Sequence, residues 1–129
     1  MFLKSFAAVA GASLLLISAQ AGQAHAWERL GSRTVADNTE TDVVSGFGQG
    51  KFKQVKLCVQ SRAVHFKDVD VLFGNGGHQD VKIRSLIPPG QCTRAIDLKG
   101  ERRNINRVVM RYETLRKMGR QAVVTVMAR

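Results

Sequence analysis

From Phe52 to Ala128, apolar side chains recur at every second position in short runs separated by turn residues. The clearest run sets Val55, Leu57 and Val59 against Lys56, Cys58 and Gln60, the period of a strand buried on one face. Val64 and Phe66 share one parity and Val69, Val71 and Phe73 the other, so a bend or bulge is expected at Lys67-Asp68. Gly74-Asn75-Gly76-Gly77 reads as a hairpin turn, because Asn-Gly accepts positive φ, and Val81 and Ile83 continue on the return strand. Pro88-Pro89-Gly90 interrupts the pattern. Ile96 and Leu98 resume it, Val108, Met110 and Tyr112 alternate with Arg107, Val109 and Arg111, and Ala122 to Ala128 closes the chain after a basic link, Leu115 to Arg120. Upstream, Arg33–Ala36 and Asp42–Ser45 read as short strands. No window carries a helical stripe. Seven to nine short strands predict an all-β fold, an antiparallel β-sandwich of Ig-like or jelly-roll-like kind.

The first residues follow a different rule. Lys4 precedes an uncharged apolar stretch, Phe6 to Ile17, and a small-residue region ends in Ala24-His25-Ala26. This is the layout of a cleavable signal peptide over residues 1–26, with Ala19-Gln20-Ala21 as a second cut. An anchor needs about 20 apolar residues, and this stretch is shorter. The expectation is therefore export to a periplasm or to the outside, with residues 27–129 forming a single β-sandwich domain and no transmembrane segment in the mature form.

Removal of the leader leaves 103 residues with a formal charge of +9, against +10 for the whole chain. A basic balance favours anionic partners through long-range attraction. In a cell envelope those are anionic polysaccharide, lipid headgroups or acidic protein. Nucleic acid fits less well, since few aromatics are present to stack on bases. The plain alternative is a charged, solvated surface.

Two cysteines, Cys58 and Cys92, lie beyond the leader, and in an oxidising compartment an even pair reads as a disulfide. One observation opposes it. Cys58 falls on the outward parity of its strand, whereas Cys92 shares the parity of Ile96 and Leu98. A bulge or break near Gln91 reconciles the two.

Candidate chemistry is sparse. Cys58 with His65 or His78 would make a thiol nucleophile and its base, but His65 belongs on an exposed face and His78 in the hairpin turn. Asp68 and Asp70 share a strand face, with Asp80 and the Gly74–Gly77 loop nearby. No calcium-loop or zinc spacing accompanies them, so neither metal nor cofactor is expected. The Gly46–Gly50 run leads into a strand rather than a helix, which makes it a flexible turn and not a phosphate loop. The most informative feature is basic: Arg102, Arg103, Arg107, Arg111, Arg116, Lys117 and Arg120. Arg107 and Arg111 fall on one strand face about 13 Å apart at ~3.3 Å per residue, and arginine forks suit phosphate and carboxylate. Against this, exposed strands carry arginine merely to discourage edge pairing.

Several strings carry a resemblance: Val55-Lys56-Leu57, Asp68 to Gly76 (DVDVLFGNG), Gln79-Asp80-Val81, Pro89 to Leu98 (PGQCTRAIDL) and Arg102-Arg103-Asn104-Ile105. Over Phe52 to Tyr112 the chain resembles a family of small exported bacterial proteins of unknown function. The resemblance implies a β-rich exported domain and supplies no catalytic residues, substrate or cofactor. Its shared polar positions, Asp80, Arg94, Asp97 and Arg103, either pair within the fold or line a surface. The reading that results is a non-catalytic module binding anionic envelope material through Arg102, Arg103, Arg107 and Arg111. The alternative is an assembly protein that pairs through strand edges such as Ala122–Ala128. A hydrolase fits least.

Overall fold

A computed structural model describes residues 26–35, 40–48, 50–100, 102–114 and 121–129. The leader up to residue 25 and the basic link 115–120, with Arg116, Lys117 and Arg120, lie outside the described residues. The described residues form nine strands: β1 (Glu28–Thr34), β2 (Glu40–Ser45), β3 (Gln54–Gln60), β4 (Val64–Phe73), β5 (His78–Val81), β6 (Leu86–Ile87), β7 (Ile96–Asp97), β8 (Ile105–Thr114) and β9 (Val123–Ala128). They form two antiparallel sheets, one ordered β1-β9-β3-β7 and the other β2-β8-β4-β5, with β6 also paired to β4. The expected antiparallel sandwich of seven to nine strands is the fold observed.

Alternation explains the layers. Val55, Leu57 and Val59 of β3 and Val124, Val126 and Ala128 of β9 turn inward from one sheet. Val64, Phe66, Val69, Val71 and Phe73 of β4 and Val108, Met110 and Tyr112 of β8 meet them from the other. Burying each aliphatic side chain of this size stabilises the fold by roughly 1.5–3 kcal/mol. β-branched valine, which dominates this core, also suits the pleated backbone.

Three expectations are corrected. The first strand starts at Glu28, not Arg33. It escapes the alternation because it is an edge strand, half-exposed on both faces, and a register shift between Arg29 and Gly31 scrambles its parity. Gly31 allows this strand to approach the other sheet: a Cβ there would sit 3.1 Å from the Phe47 ring and 3.3 Å from Val44. Next, Ala122–Ala128 offers no free edge. β9 is paired to β1 on one side and β3 on the other. His78, finally, is the first residue of β5, opposite Leu72, and not part of the turn. In that turn only Gly76 takes positive φ, at 92°. Asn75 contributes its side chain instead, accepting the Gly77 N–H at 3.0 Å.

The disulfide is formed, with Cys58 and Cys92 in an antiparallel bridge on the outer face of β3. Backbone hydrogen bonds flank it, from Val59 N–H to Gln91 O at 2.8 Å and from Thr93 N–H to Leu57 O at 2.8 Å. The parity conflict resolves three residues later than expected. Cys92 faces out and Thr93 in, then Arg94 and Ala95 are both exposed before Ile96 turns inward.

Candidate functional site

Two irregularities in the second sheet lie side by side. In β4, Phe66 pairs with Tyr112 and Asp68 with Arg111, which leaves Lys67 as the extra residue of a bulge. This is the bulge that the parity switch requires. Because Phe66 and Val69 both point into the core, Lys67 and Asp68 are both left on the outer side, half-buried. The neighbouring edge breaks at the same level. β5 pairs with β4 through Val69–Leu72 and β6 pairs through Val64 and His65, so residues 82–85 leave the ladder beside the bulge. Ile83 N–H donates to Val81 O at 3.1 Å, a γ-turn centred on Lys82. Phe66 N–H donates to Ser85 O at 3.0 Å and draws the chain back. Arg84 is exposed between these two ties.

The result is an open groove of about 240 Å³ lined by His65, Phe66, Lys67, Arg84 and Arg111. Three cationic side chains reach it from three backbone segments. Lys67 forms an exposed ion pair with Glu113 at 3.8 Å, a contact of the kind worth little in solvent. Neither Arg84 nor Arg111 has an ion-pair or hydrogen-bond partner among the described residues.

A row of carboxylates borders the groove. Asp70 lies opposite Asp80 across the β4–β5 pair. Asp70 Oδ1 is 2.9 Å from His78 Nδ1, and Asp80 is 3.6 Å from Lys82. Asp68 is held above the ordinary aspartate pKa of 3.8 by desolvation first, then by a hydrogen bond to Asp80 and repulsion from it; Lys82 and Arg111 oppose the shift. Its Oδ1 is buried and has no hydrogen-bond partner among the described residues. Among those residues, no three His, Cys, Asp or Glu side chains are arranged to hold a metal ion.

The four arginines singled out by the sequence separate into two places. Arg107 and Arg111 are exposed on one face of β8. A second register shift, near Leu72 and Phe73, leaves Asn106 as the extra residue and sets Arg107 on the outer face. Arg102 and Arg103 instead line a different open cavity of about 250 Å³ beside the β4–β5 hairpin, with Phe73, Gly74, Asn75 and Asn104. Both are committed to the fold there. Arg102 donates to Lys51 O at 3.0 Å. Arg103 donates to Lys99 O at 2.9 Å and Asn75 Oδ1 at 3.3 Å, with its guanidinium 3.8 Å from the Phe73 ring centre.

Lys67 and Arg84 escaped sequence reasoning. The parity switch at Lys67 was the available signal, since bulges re-aim side chains. Arg84 gave none: its segment has no period, and only the tie to Phe66 places it. The thiol nucleophile is ruled out, because Cys58 and Cys92 are bonded to each other.

A protein-family model described as a domain of unknown function, DUF2541, matches residues 8–128. No curated protein and no solved structure matches the chain.

Proposed function

Since the chain belongs to this family, we propose, from its own residues, that it is an exported, non-catalytic module that binds anionic material through the outer face of its second sheet. The observation that carries this reading is the pair Arg107 and Arg111, exposed together on β8 in a chain of net charge +10. Neither guanidinium is tied up in a hydrogen bond or ion pair among the described residues, although Arg111 is attracted to Asp68 across the ladder. Arg102 and Arg103 extend the basic surface at the hairpin end and are the weaker contributors, because their donors already serve backbone and side-chain acceptors.

Export is the other half of the reading. The Cys58–Cys92 disulfide fits an oxidising compartment, and among the described residues no helix is long and apolar enough to cross a membrane. A cut after Ala26 would leave every strand pair intact, because the first paired residue is Glu28. Trp27, the residue that would become the new N-terminus, has Lys56 and Arg129 over its ring at 4.3 and 4.4 Å.

Retention on dextran sulfate, on phosphatidylglycerol vesicles and on an acidic protein, each across a salt series, tests the binding reading. Steep loss of retention with salt is expected, together with early elution of an R107Q/R111Q double variant. Equal retention of that variant and the parent chain would sink the proposal. The intact mass of the protein recovered from a periplasmic fraction tests the cut.

A further inference from the structure

We infer that the groove over the β4 bulge is a specific seat for one phosphate group, held by Arg84, Arg111 and Lys67. This deepens the anion-binding reading and rests on it, but it concerns a different feature: a formed recess rather than a charged face. Arg111 belongs to both, Arg84 and Lys67 only to the recess.

Three observations converge on it. The cations come from three separate segments, the β4 bulge, the β5–β6 connection and β8, and all three line one groove of about 240 Å³. Their placement is built into the backbone. The bulge leaves Lys67 on the outer side, and the Phe66 N–H to Ser85 O bond at 3.0 Å holds the Arg84 segment against it. The groove's guanidinium groups are also available. Arg29, Arg33, Arg102, Arg103 and Arg129 all give theirs to protein acceptors, whereas among the described residues neither Arg84 nor Arg111 donates to one, and Arg111 is attracted to Asp68 without a hydrogen bond.

The chemistry of the donors selects the ligand. Two guanidinium forks and an ammonium offer more charge-assisted donors than the two oxygens of a carboxylate can accept. A phosphate monoester, with three terminal oxygens and close to two negative charges, accepts from all three side chains. Asp68, directly across from Arg111 in the ladder, offsets part of the positive charge. The three cations still exceed that carboxylate, so the seat attracts a dianion more strongly than a singly charged acid. The recess is an open groove of about 240 Å³, which does not exclude a group attached to the phosphate. The shared chemistry is thus a phosphate monoester, either free or carried on a saccharide.

Titration of the ¹⁵N-labelled protein, its disulfide intact, tests this with inorganic phosphate, glucose 6-phosphate and acetate as separate probes. Saturable one-to-one binding of both phosphates is expected. Amide shifts should centre on His65–Asp68, Arg84 and Arg111, with acetate at least tenfold weaker. Tighter binding of glucose 6-phosphate than of inorganic phosphate would identify a saccharide-borne source, and the reverse a free one. R84Q should weaken either phosphate at least tenfold, while R94Q, which removes an exposed arginine of the β6–β7 connection outside the groove, should leave it within twofold. Arg84 is exposed and off the ladder, and a melting curve confirms that R84Q folds. Equal weakening by R84Q and R94Q, or acetate binding as tightly as phosphate, would overturn the seat. The broader reading fails separately: an R107Q/R111Q variant retained like the parent on dextran sulfate sinks it whatever phosphate does. Loss of phosphate binding with retention intact sinks the seat alone.

Discussion

The buried side chain of Gln79, on the β5 edge of one sheet, holds the backbone of Asp97, on the β7 edge of the other. Its Nε2 donates to Asp97 O at 3.0 Å, and its Oε1 accepts the Lys99 N–H at 2.8 Å. One amide thus closes one flank of the sandwich. A second polar clasp closes the opposite flank: Tyr112 Oη donates to Asp42 Oδ2 at 2.6 Å, and Arg33 Nε sits 3.1 Å from Asp42 Oδ1. Since β1 carries Arg33 and β2 carries Asp42, this clasp also spans the two sheets.

Gln79→Leu keeps the volume of the side chain and removes both hydrogen bonds. The Asp97 carbonyl and the Lys99 N–H lose their partners, and a buried backbone group left unpaired costs about 1–3 kcal/mol. Urea unfolding should show a loss in that range with an unchanged denaturant slope. A Gln79→Leu protein as stable as the parent would mean that the clasp contributes nothing.

Tyr112→Phe isolates the second clasp. The ring stays buried in the core and the Oη donor to Asp42 is lost, so a destabilisation of roughly 1–2 kcal/mol is expected. Arg33 still faces Asp42 and tempers the cost. Calorimetry of Tyr112→Phe, Arg33→Gln and the double variant would expose coupling between the two contacts as non-additive melting shifts.

The disulfide closes a loop with a sequence separation of 34. Removing it should cost roughly 3–4 kcal/mol in the chain-entropy model. Both sulfur-bearing residues lie on the outer side of β3, so Cys58→Ser with Cys92→Ser opens no core cavity. Denaturant unfolding of this double variant should give the same loss as the parent chain under reductant. A difference between the two beyond about 1 kcal/mol would show that replacing the sulfurs disturbs the fold in its own right.

The layers were legible because strands with one buried face must alternate, and β3, β8 and β9 do so. The bulge at Lys67 was legible for the same reason, as a break in parity. The edge strand β1 was misplaced, because a strand half-exposed on both faces has no period to read. The clasps were not readable either. Asp42, Gln79 and Tyr112 look like ordinary strand residues until the sheets are stacked. Of the basic residues, Arg107 and Arg111 announce a shared face by their spacing. Arg84 reaches Arg111 only through a γ-turn at Lys82 and one backbone hydrogen bond from Phe66, and no local pattern encodes either contact. Arg102 and Arg103 look like equal members of the patch in the sequence, yet their donors turn back into the fold.

Asp68 gives the last prediction its sign. Its folded pKa lies above 3.8, mainly through desolvation and then through Asp80. The folded chain therefore binds this proton more tightly than the unfolded chain does. The stability that follows is fully present below the unfolded value and is lost as pH rises through the raised folded value. At neutral pH the ionised Asp68 carboxylate destabilises the fold, with Oδ1 buried and without a hydrogen-bond partner among the described residues. Asp68→Asn removes that charge, and its amide is able to donate to Asp80. The variant should melt above the parent at pH 7, and the gap should close as pH falls toward 3.8. Solvent screening at this half-exposed position keeps the gap modest. Lys82 and Arg111 would lose an attractive partner in the same change, which also works against it. A variant that melts below the parent at pH 7 would show that those two attractions outweigh the burial of the carboxylate. A gap that stays constant with pH would show that Asp68 does not titrate across this range at all.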